Sequence, residues 1–201
     1  MGLPRSCFWR QPVGAVQGLD PDRVAYAGTA SKTLAPALRL AWLALPPWLL
    51  EPVVEAKRLA DRHSAVLDQL VLADLIVSGA FDRHVRRCRL RYRRRRDRLG
   101  AALAEHAPTV KAVGVVAGLH AVLLLPEQGP SEQDVVAGLA ARSVAVDGLG
   151  GYWRSPGSHP AGLVVGYATP PEHAFTRALD ALTASLTQVL QGRAGPGQLP
   201  T

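Results

Sequence analysis

The pattern of apolar and polar residues divides the chain into an interrupted first part, a long helical middle and a compact last part. Runs of small and apolar residues at 23–28 and 38–45 have the length and composition of strands. From 48 to about 77, apolar residues recur every three or four positions, which predicts helix with a break near 63–64. A second long helix is predicted over about 79–107.

The last part of the chain changes to a denser alternation of strands and helices. Two β-rich runs within 109–126 predict a hairpin, and residues 131–143 predict a helix that is N-capped by Ser131. A strand is then expected at 161–169, followed by an amphipathic helix over 170–190 that begins with proline. Together with the first part, this order of elements predicts an α/β fold class.

Composition and charge describe a globular protein with one strongly basic helix. The 201 residues are 48% hydrophobic and 19% charged, which is enough apolar sequence for one domain or two small ones. The net charge is +7, but the segment 82–98 alone contains ten arginines and two aspartates, so the rest of the chain is close to neutral. This arginine-rich helix favours a solvated or interdomain face, with nucleic-acid binding as the open alternative.

Other compositional signals exclude several classes of protein. Two cysteines are too few for a disulfide framework, and the N-terminus shows no secretory signal pattern. We therefore expect a cytoplasmic protein. The apolar run at 38–50 is short and interrupted, so no membrane span is expected. The six histidines lack metal-ligand spacing, so no metal site is predicted.

The most informative stretch is YAGTASKTLAPALRLAW, residues 26–42. The chain has only three lysines, and this stretch places Lys32 beside Thr29 and Ser31, with Arg39 seven residues later. A lysine that condenses with an aldehyde needs a fixed position and an amine that can lose its proton. Hydroxyls and a guanidinium are suitable partners for a phosphate group. On residue types alone, a surface turn with an arginine nearby by chance is the favoured interpretation.

The wider sequence around this lysine resembles a known motif. The string GTASKTLAPALRLAWLALP is similar to the cofactor-lysine motif of fold-type I pyridoxal-phosphate enzymes. More closely, the chain resembles the aminotransferase-like domain of MocR regulators, a branch of the GntR-type bacterial regulators, from about Gln11 to Leu190. The segments HVRRCRLRYRRRRDRL, AGLHAVLLLP and GLVVGYATPPE carry the resemblance beyond the lysine.

The resemblance implies a cofactor and a set of residues that hold it. Pyridoxal 5'-phosphate is the expected cofactor, and Lys32 is the residue expected to bind it covalently. Arg39 is expected to hold the cofactor phosphate, with Thr29 and Ser31 as its hydroxyl partners. An amino acid or an amine is the expected ligand, and the family implies a homodimer or pairing with a related fold-type I chain.

The resemblance also implies an arrangement of domains. Residues 11–80 are expected to be the C-terminal part of the large cofactor-binding domain, and 81–108 an arginine-rich connecting helix. Residues 109–190 are expected to form a complete small α+β domain. The remaining ends, 1–10 and 191–201, are predicted to be an atypical N-terminus and a flexible tail.

Two departures from the family pattern limit the expected activity. The match begins about twenty residues before Lys32, so the family's upstream DNA-reading domain, pyridine-pairing aspartate and stacking aromatic residue have no counterpart here. In addition, Val164 stands where family members that act on amino acids have a carboxylate-binding arginine. We therefore expect a truncated relative that is weak or inactive as a catalyst alone. A free-standing aminotransferase and a non-catalytic dimerisation module remain the alternatives.

Overall fold

The computed structural model describes residues 14–113, 118–155 and 157–192. The chain divides into two compact units, with the boundary between Val85 and Arg86. The predicted atypical N-terminus at 1–10 and nearly all of the predicted flexible tail lie outside the described residues.

The first unit contains a short β-hairpin followed by helices. Its elements are β1 (Tyr26–Thr29), β2 (Ala41–Ala44), α1 (Pro47–Asp61) and α2 (Val66–Val77). The predicted break between the two helices is confirmed. Helix α1 begins at a proline, which is favourable because an N–H group in the first turn has no acceptor within the helix, so the missing N–H of proline costs nothing there. The strand predicted over 38–45 is shorter than expected, since a 3-10 helix over Pro36–Leu38 occupies its beginning.

A glycine in β1 leaves room for a tryptophan side chain of β2 on the face of this hairpin. Gly28 lies directly opposite Trp42 in the antiparallel register. A Cβ atom at residue 28 would overlap the Trp42 indole, so only glycine leaves room for the ring in this position. The glycine that ends the strand-like run at 23–28 in the sequence is therefore required by packing within the sheet rather than by a turn.

The long helix α3 (Ala80–His106) begins in the first unit and continues into the second. Its bounds confirm the helix predicted over 79–107. In the second unit, Leu99 and Leu103 are buried on the face that also carries the half-buried Tyr92. This face of α3 therefore packs into the core of the second unit, while most of the arginines of the helix are exposed.

The second unit is a four-stranded antiparallel sheet with two helices. Its elements are β3 (Lys111–Val113), β4 (Ala121–Leu124), α4 (Glu132–Ala140), β5 (Asp147–Gly148), β6 (Gly162–Val165) and α5 (Phe175–Leu190). The strands lie in the order β3-β4-β6-β5. The pairing of β3 with β4 confirms the predicted hairpin, and a capping box between Ser131 and Asp134 confirms the predicted start of α4.

Two elements of the second unit are shorter than the sequence pattern suggested. The strand expected over 161–169 ends at Val165, because the residues after it turn back to bond with α3. The helix expected from 170 begins at Phe175, since a 3-10 turn over Glu172–Ala174 precedes it. The turn between strand and helix is thus built from residues that the periodicity assigned to regular structure.

The core of the second unit is formed by leucines from every layer. Fully buried side chains come from β4, β6, α4 and α5: Leu123, Leu163, Leu139 and Leu186. At about 25 cal/mol per Å² of apolar surface, each contributes roughly 2 kcal/mol by leaving water. Within the described residues, no helix combines the length and apolar character needed to cross a membrane.

Candidate functional site

The predicted cofactor lysine lies in the connection between the two strands of the first unit. The register pairs Thr29 with Ala41, and the N–H of Ala30 donates to the carbonyl of Leu40 at 3.0 Å. These two pairs close the connection at its base. Lys32 and Arg39 therefore lie within one closed loop, and both side chains are exposed.

The backbone that carries Lys32 is a tight turn around one buried carbonyl. Ala30 is fully buried, and its carbonyl accepts hydrogen bonds from the N–H groups of Thr33 and Leu34 at 3.2 and 2.8 Å. The Thr33 hydroxyl also donates to the same carbonyl, at 3.2 Å. Lys32 is thus fixed through its main chain while its amine stays open to solvent.

The two hydroxyls predicted to contact a phosphate lie next to each other. The Thr29 hydroxyl oxygen accepts from the N–H of Ser31 at 3.1 Å and lies 3.1 Å from the Ser31 hydroxyl. It is also 3.1 Å from the carbonyl of Leu40, which can accept its proton. The structure therefore brings Thr29 and Ser31 together at the base of the loop that contains Lys32.

Arg39 has an unusual backbone conformation. Its φ angle is 50°, in the left-handed region that non-glycine residues avoid because the Cβ approaches the following carbonyl. This conformation costs about 1 kcal/mol, and such strain is concentrated at functional sites. The loop therefore places an exposed guanidinium one residue before its closing bond at some cost to stability.

A histidine that sequence reasoning did not select contacts this loop. The Nε2 atom of His84 on α3 lies 2.8 Å from the carbonyl oxygen of Thr33, the residue after the lysine. A carbonyl only accepts hydrogen bonds, so Nε2 carries the proton and donates. No local sequence signal indicates this contact, because the two residues are 51 positions apart.

A buried arginine in the second unit was also missed. Arg95 is 4% exposed, and its guanidinium donates to the carbonyls of Ala168 and Pro170 at 3.0 and 2.8 Å. It also pairs with Glu172 at 2.9 Å and lies over the Phe175 ring. The sequence predicts a solvated or interdomain face for this helix, whereas Arg95 is buried against residues of the second unit itself. A signal existed, because Arg95 falls at the helical spacing of the buried stripe between Tyr92 and Leu99.

The turn that Arg95 holds follows the strand containing Val164. Val164 is half-buried and lies opposite Val122 and Asp147 in the sheet. Three residues later, the Tyr167 hydroxyl donates to the carbonyl of Gly118 at 2.6 Å. Burial raises the pKa of Tyr167, with Arg96 opposing, so this hydroxyl keeps its proton and remains a donor at neutral pH.

Histidine, cysteine and carboxylate side chains do not cluster in a way that would hold a metal ion, within the part of the chain that the structure describes. The chemistry available at the hairpin loop is that of an amine, a guanidinium and two hydroxyls.

The chain is similar to several known proteins. No protein-family model matches the chain. It is 38% identical over 128 residues to the uncharacterized HTH-type transcriptional regulator YhdI of Bacillus subtilis, covering 63% of this chain and 27% of the regulator. It is 30% identical over 162 residues to PdxR of Corynebacterium glutamicum, an HTH-type pyridoxine biosynthesis transcriptional regulator, covering 80% of this chain and 34% of PdxR.

Aminotransferases are among the solved structures that resemble the chain. LysN from Thermus thermophilus, an α-aminoadipate aminotransferase, superimposes with a TM-score of 0.68 at 25% identity. The match covers 83% of this chain and 42% of LysN. The chain thus spans about a quarter to a third of the two regulators and less than half of LysN. It is homologous to MocR-type regulators and aminotransferases, and it has the fold of part of a fold-type I aminotransferase domain.

Proposed function

We propose that the chain is a pyridoxal-phosphate-binding, aminotransferase-like unit related to the ligand-binding part of MocR-type regulators. One observation carries the proposal: a single closed hairpin loop holds Lys32, Arg39 and the adjacent hydroxyls of Thr29 and Ser31. The expected division into 11–80, 81–108 and 109–190 belongs to the same proposal.

The residues of the loop fit the chemical groups of this cofactor. The exposed amine of Lys32 suits an aldehyde, and the Arg39 guanidinium with the Thr29 and Ser31 hydroxyls suits a phosphate. When bound, pyridoxal phosphate supplies an aldehyde that condenses with amines and a ring that withdraws electrons from the bonded carbon. The tight turn around Ala30 limits the motion of the lysine main chain, which lowers the entropic cost of holding the amine in place.

The similar proteins support the same cofactor class. LysN was crystallised with N-(5'-phosphopyridoxyl)-L-leucine, which joins a pyridoxal-derived group to an amino acid. By this similarity we propose an amino acid or an amine as the ligand of the present chain. Regulation in response to that ligand is the role favoured by the similarity to HTH-type regulators.

We further propose that this chain is weak or inactive as an aminotransferase by itself. The relevant observation is Val164, an apolar residue in β6 at the position where the family pattern has a carboxylate-binding arginine. A valine side chain offers a carboxylate neither charge nor hydrogen bonds. The test measures how fast the amino group of a donor amino acid is transferred to added pyridoxal phosphate. A rate well above that of the free cofactor would instead support a free-standing aminotransferase.

The proposal is tested by adding pyridoxal phosphate to the purified chain and reducing with borohydride. We expect a saturable change in the cofactor absorbance and a label that peptide mapping places on Lys32. Lys57 and Lys111 are internal controls, because both are exposed amines outside the loop. Saturable binding without any label on Lys32, or labelling spread evenly over the three lysines, would contradict the proposal.

Replacing Arg39 with glycine is expected to separate stability from cofactor binding. Glycine adopts a φ of 50° without strain, so the free energy of unfolding should stay the same or rise by up to about 1 kcal/mol. Loss of a charge-assisted phosphate contact should weaken binding of pyridoxal phosphate by about tenfold or more. Fluorescence titration and chemical denaturation measure the two effects.

Arg62 provides a matched control for this experiment. It is a second exposed arginine with a positive φ, 54°, and it follows the end of α1 rather than lying in the lysine loop. Arg62→Gly should change stability to a similar extent and leave the affinity for pyridoxal phosphate unchanged. Equal losses of affinity in both variants would show that Arg39 does not hold the phosphate.

A second candidate function is association with another chain, a second copy or a related fold-type I chain. The observation that favours it is α2, in which large apolar side chains are exposed around the helix: Val66, Leu67, Leu70, Val71, Ile76 and Val77. A helix that is apolar on all sides is typical of a buried position. We expect Leu70→Glu to lower the sedimentation coefficient of an assembled sample, whereas Tyr152→Glu, at an equally exposed residue of the second unit, does not. A monomer before substitution would contradict self-association.

A further inference from the structure

The hydrogen bond between α3 and the lysine loop has a consequence for the proposed site. We propose that His84 is a positioning residue for Lys32, which it holds in place through the main-chain carbonyl of Thr33. The inference rests on the proposed function of Lys32, because it assigns a role to a neighbour of that lysine.

The argument begins with the local bonds of the loop. Thr33 uses its N–H and its hydroxyl to bond to the carbonyl of Ala30, which fixes the N-terminal side of the turn. Within the described residues, the other hydrogen bonds of this turn join residues of 29–40 to one another. Bonds of this kind set the shape of the loop but do not attach it to a neighbouring element.

His84 supplies that attachment. Its ring nitrogen reaches the Thr33 carbonyl at 2.8 Å from a half-buried position near the start of α3. The Thr33 carbonyl shares a peptide plane with the N–H of Leu34, which bonds to the Ala30 carbonyl. Displacing the Thr33 carbonyl therefore disturbs the turn that carries Lys32. A rigid helix thereby restrains a loop that otherwise belongs to a two-stranded hairpin, an element of marginal stability in water.

The hydrogen bond between His84 and the Thr33 carbonyl defines which property a substitute for His84 must retain. The carbonyl requires a donor, and imidazole presents one at Nε2 both when it is protonated and in the Nε2–H tautomer. Glutamine carries an N–H donor on a side chain of similar reach, whereas leucine fills comparable space without a donor. The two substitutions therefore separate the hydrogen bond from the packing of the histidine ring.

The test compares His84→Leu and His84→Gln in the full chain, first without cofactor. The amides of Thr33 and Leu34 are measured by hydrogen exchange, and exchange about fivefold faster is expected in the leucine variant, the effect of losing one hydrogen bond. The glutamine variant is expected to stay within about twofold of the unchanged protein. His63→Leu, at an exposed histidine between α1 and α2, should leave both amides unchanged.

The second readout is the affinity for pyridoxal phosphate and the rate of borohydride-fixed labelling of Lys32. Both are expected to fall about fivefold in the leucine variant and to recover in the glutamine variant. The inference is overturned if the leucine variant matches the unchanged protein in exchange, or if glutamine and leucine have equal effects. If Lys32 of the unchanged protein is never labelled, the proposed function fails, whereas the exchange data still decide whether His84 holds the loop.

Discussion

Replacing Lys32 with arginine is expected to abolish the saturable, borohydride-fixed labelling of this chain by pyridoxal phosphate. Covalent attachment needs a primary amine that can lose its proton, and the arginine guanidinium stays protonated in proteins. The substitution preserves the positive charge and most of the length of the side chain. It lies on an exposed position, so the fold should tolerate it. Intact-mass spectrometry after reduction measures the label directly.

The control for this substitution is Lys57→Arg. Lys57 lies on α1, is exposed, and pairs with Asp61 at 2.9 Å one helical turn away. This variant should be labelled as efficiently as the unchanged protein. Because exposed amines also react slowly at high cofactor concentration, the comparison is made over a concentration series. Unchanged, saturable labelling of Lys32→Arg would move the covalent site to Lys57 or Lys111 and remove the main support for the proposed function.

Replacing Arg95 with leucine is expected to lower the free energy of unfolding of the second unit by about 3 kcal/mol. The carbonyls of Ala168 and Pro170 would lose their donor in a half-buried turn, and each unsatisfied acceptor costs roughly 1 to 3 kcal/mol. The ion pair with Glu172 contributes less, because the Glu172 side chain is 68% exposed and solvent screens the charge. Chemical denaturation followed by circular dichroism measures the loss.

Arg94 is the matched control for this prediction. It is the preceding residue on the same helix, has the same side chain and is exposed. Arg94→Leu should change the free energy of unfolding by no more than about 0.5 kcal/mol. Arg95→Lys should recover little of the lost stability, because one ammonium group does not reproduce the fork that reaches two carbonyls and a carboxylate. Equal effects of the Arg94 and Arg95 leucine variants would contradict the assigned role.

Much of the fold could be predicted from the sequence, because most elements have strong local signals. The helical spacing of apolar residues predicted α3 to within a residue at each end. Ser131 and Asp134 marked the start of α4, since a capping box depends on residues only three positions apart. The predicted strands were too long near Arg39 and after Val165, where turns replace the ends of those strands. After Val165, hydrogen bonds from Arg95, a residue distant in the sequence, override local propensity, whereas near Arg39 a local 3-10 turn replaces the start of the strand.

The candidate site was predictable only in part. The motif around Lys32 identified the residue types, and their presence in one loop follows from the pairing of β1 with β2. The left-handed backbone of Arg39 had no sequence signal, because arginine rarely adopts it and glycine is the usual residue there. The role of the four loop residues in holding a cofactor stays a prediction.

The sequence by itself determined the order of helices and strands, the position of the lysine motif and the concentration of arginines in one helix. These features depend on residues that are near one another along the chain. Only the tertiary structure decided which groups the buried Arg95 bonds to and which histidine reaches the lysine loop. His84 meets Thr33 across 51 residues and Arg95 meets Pro170 across 75, and contacts over such separations arise from packing rather than from local pattern.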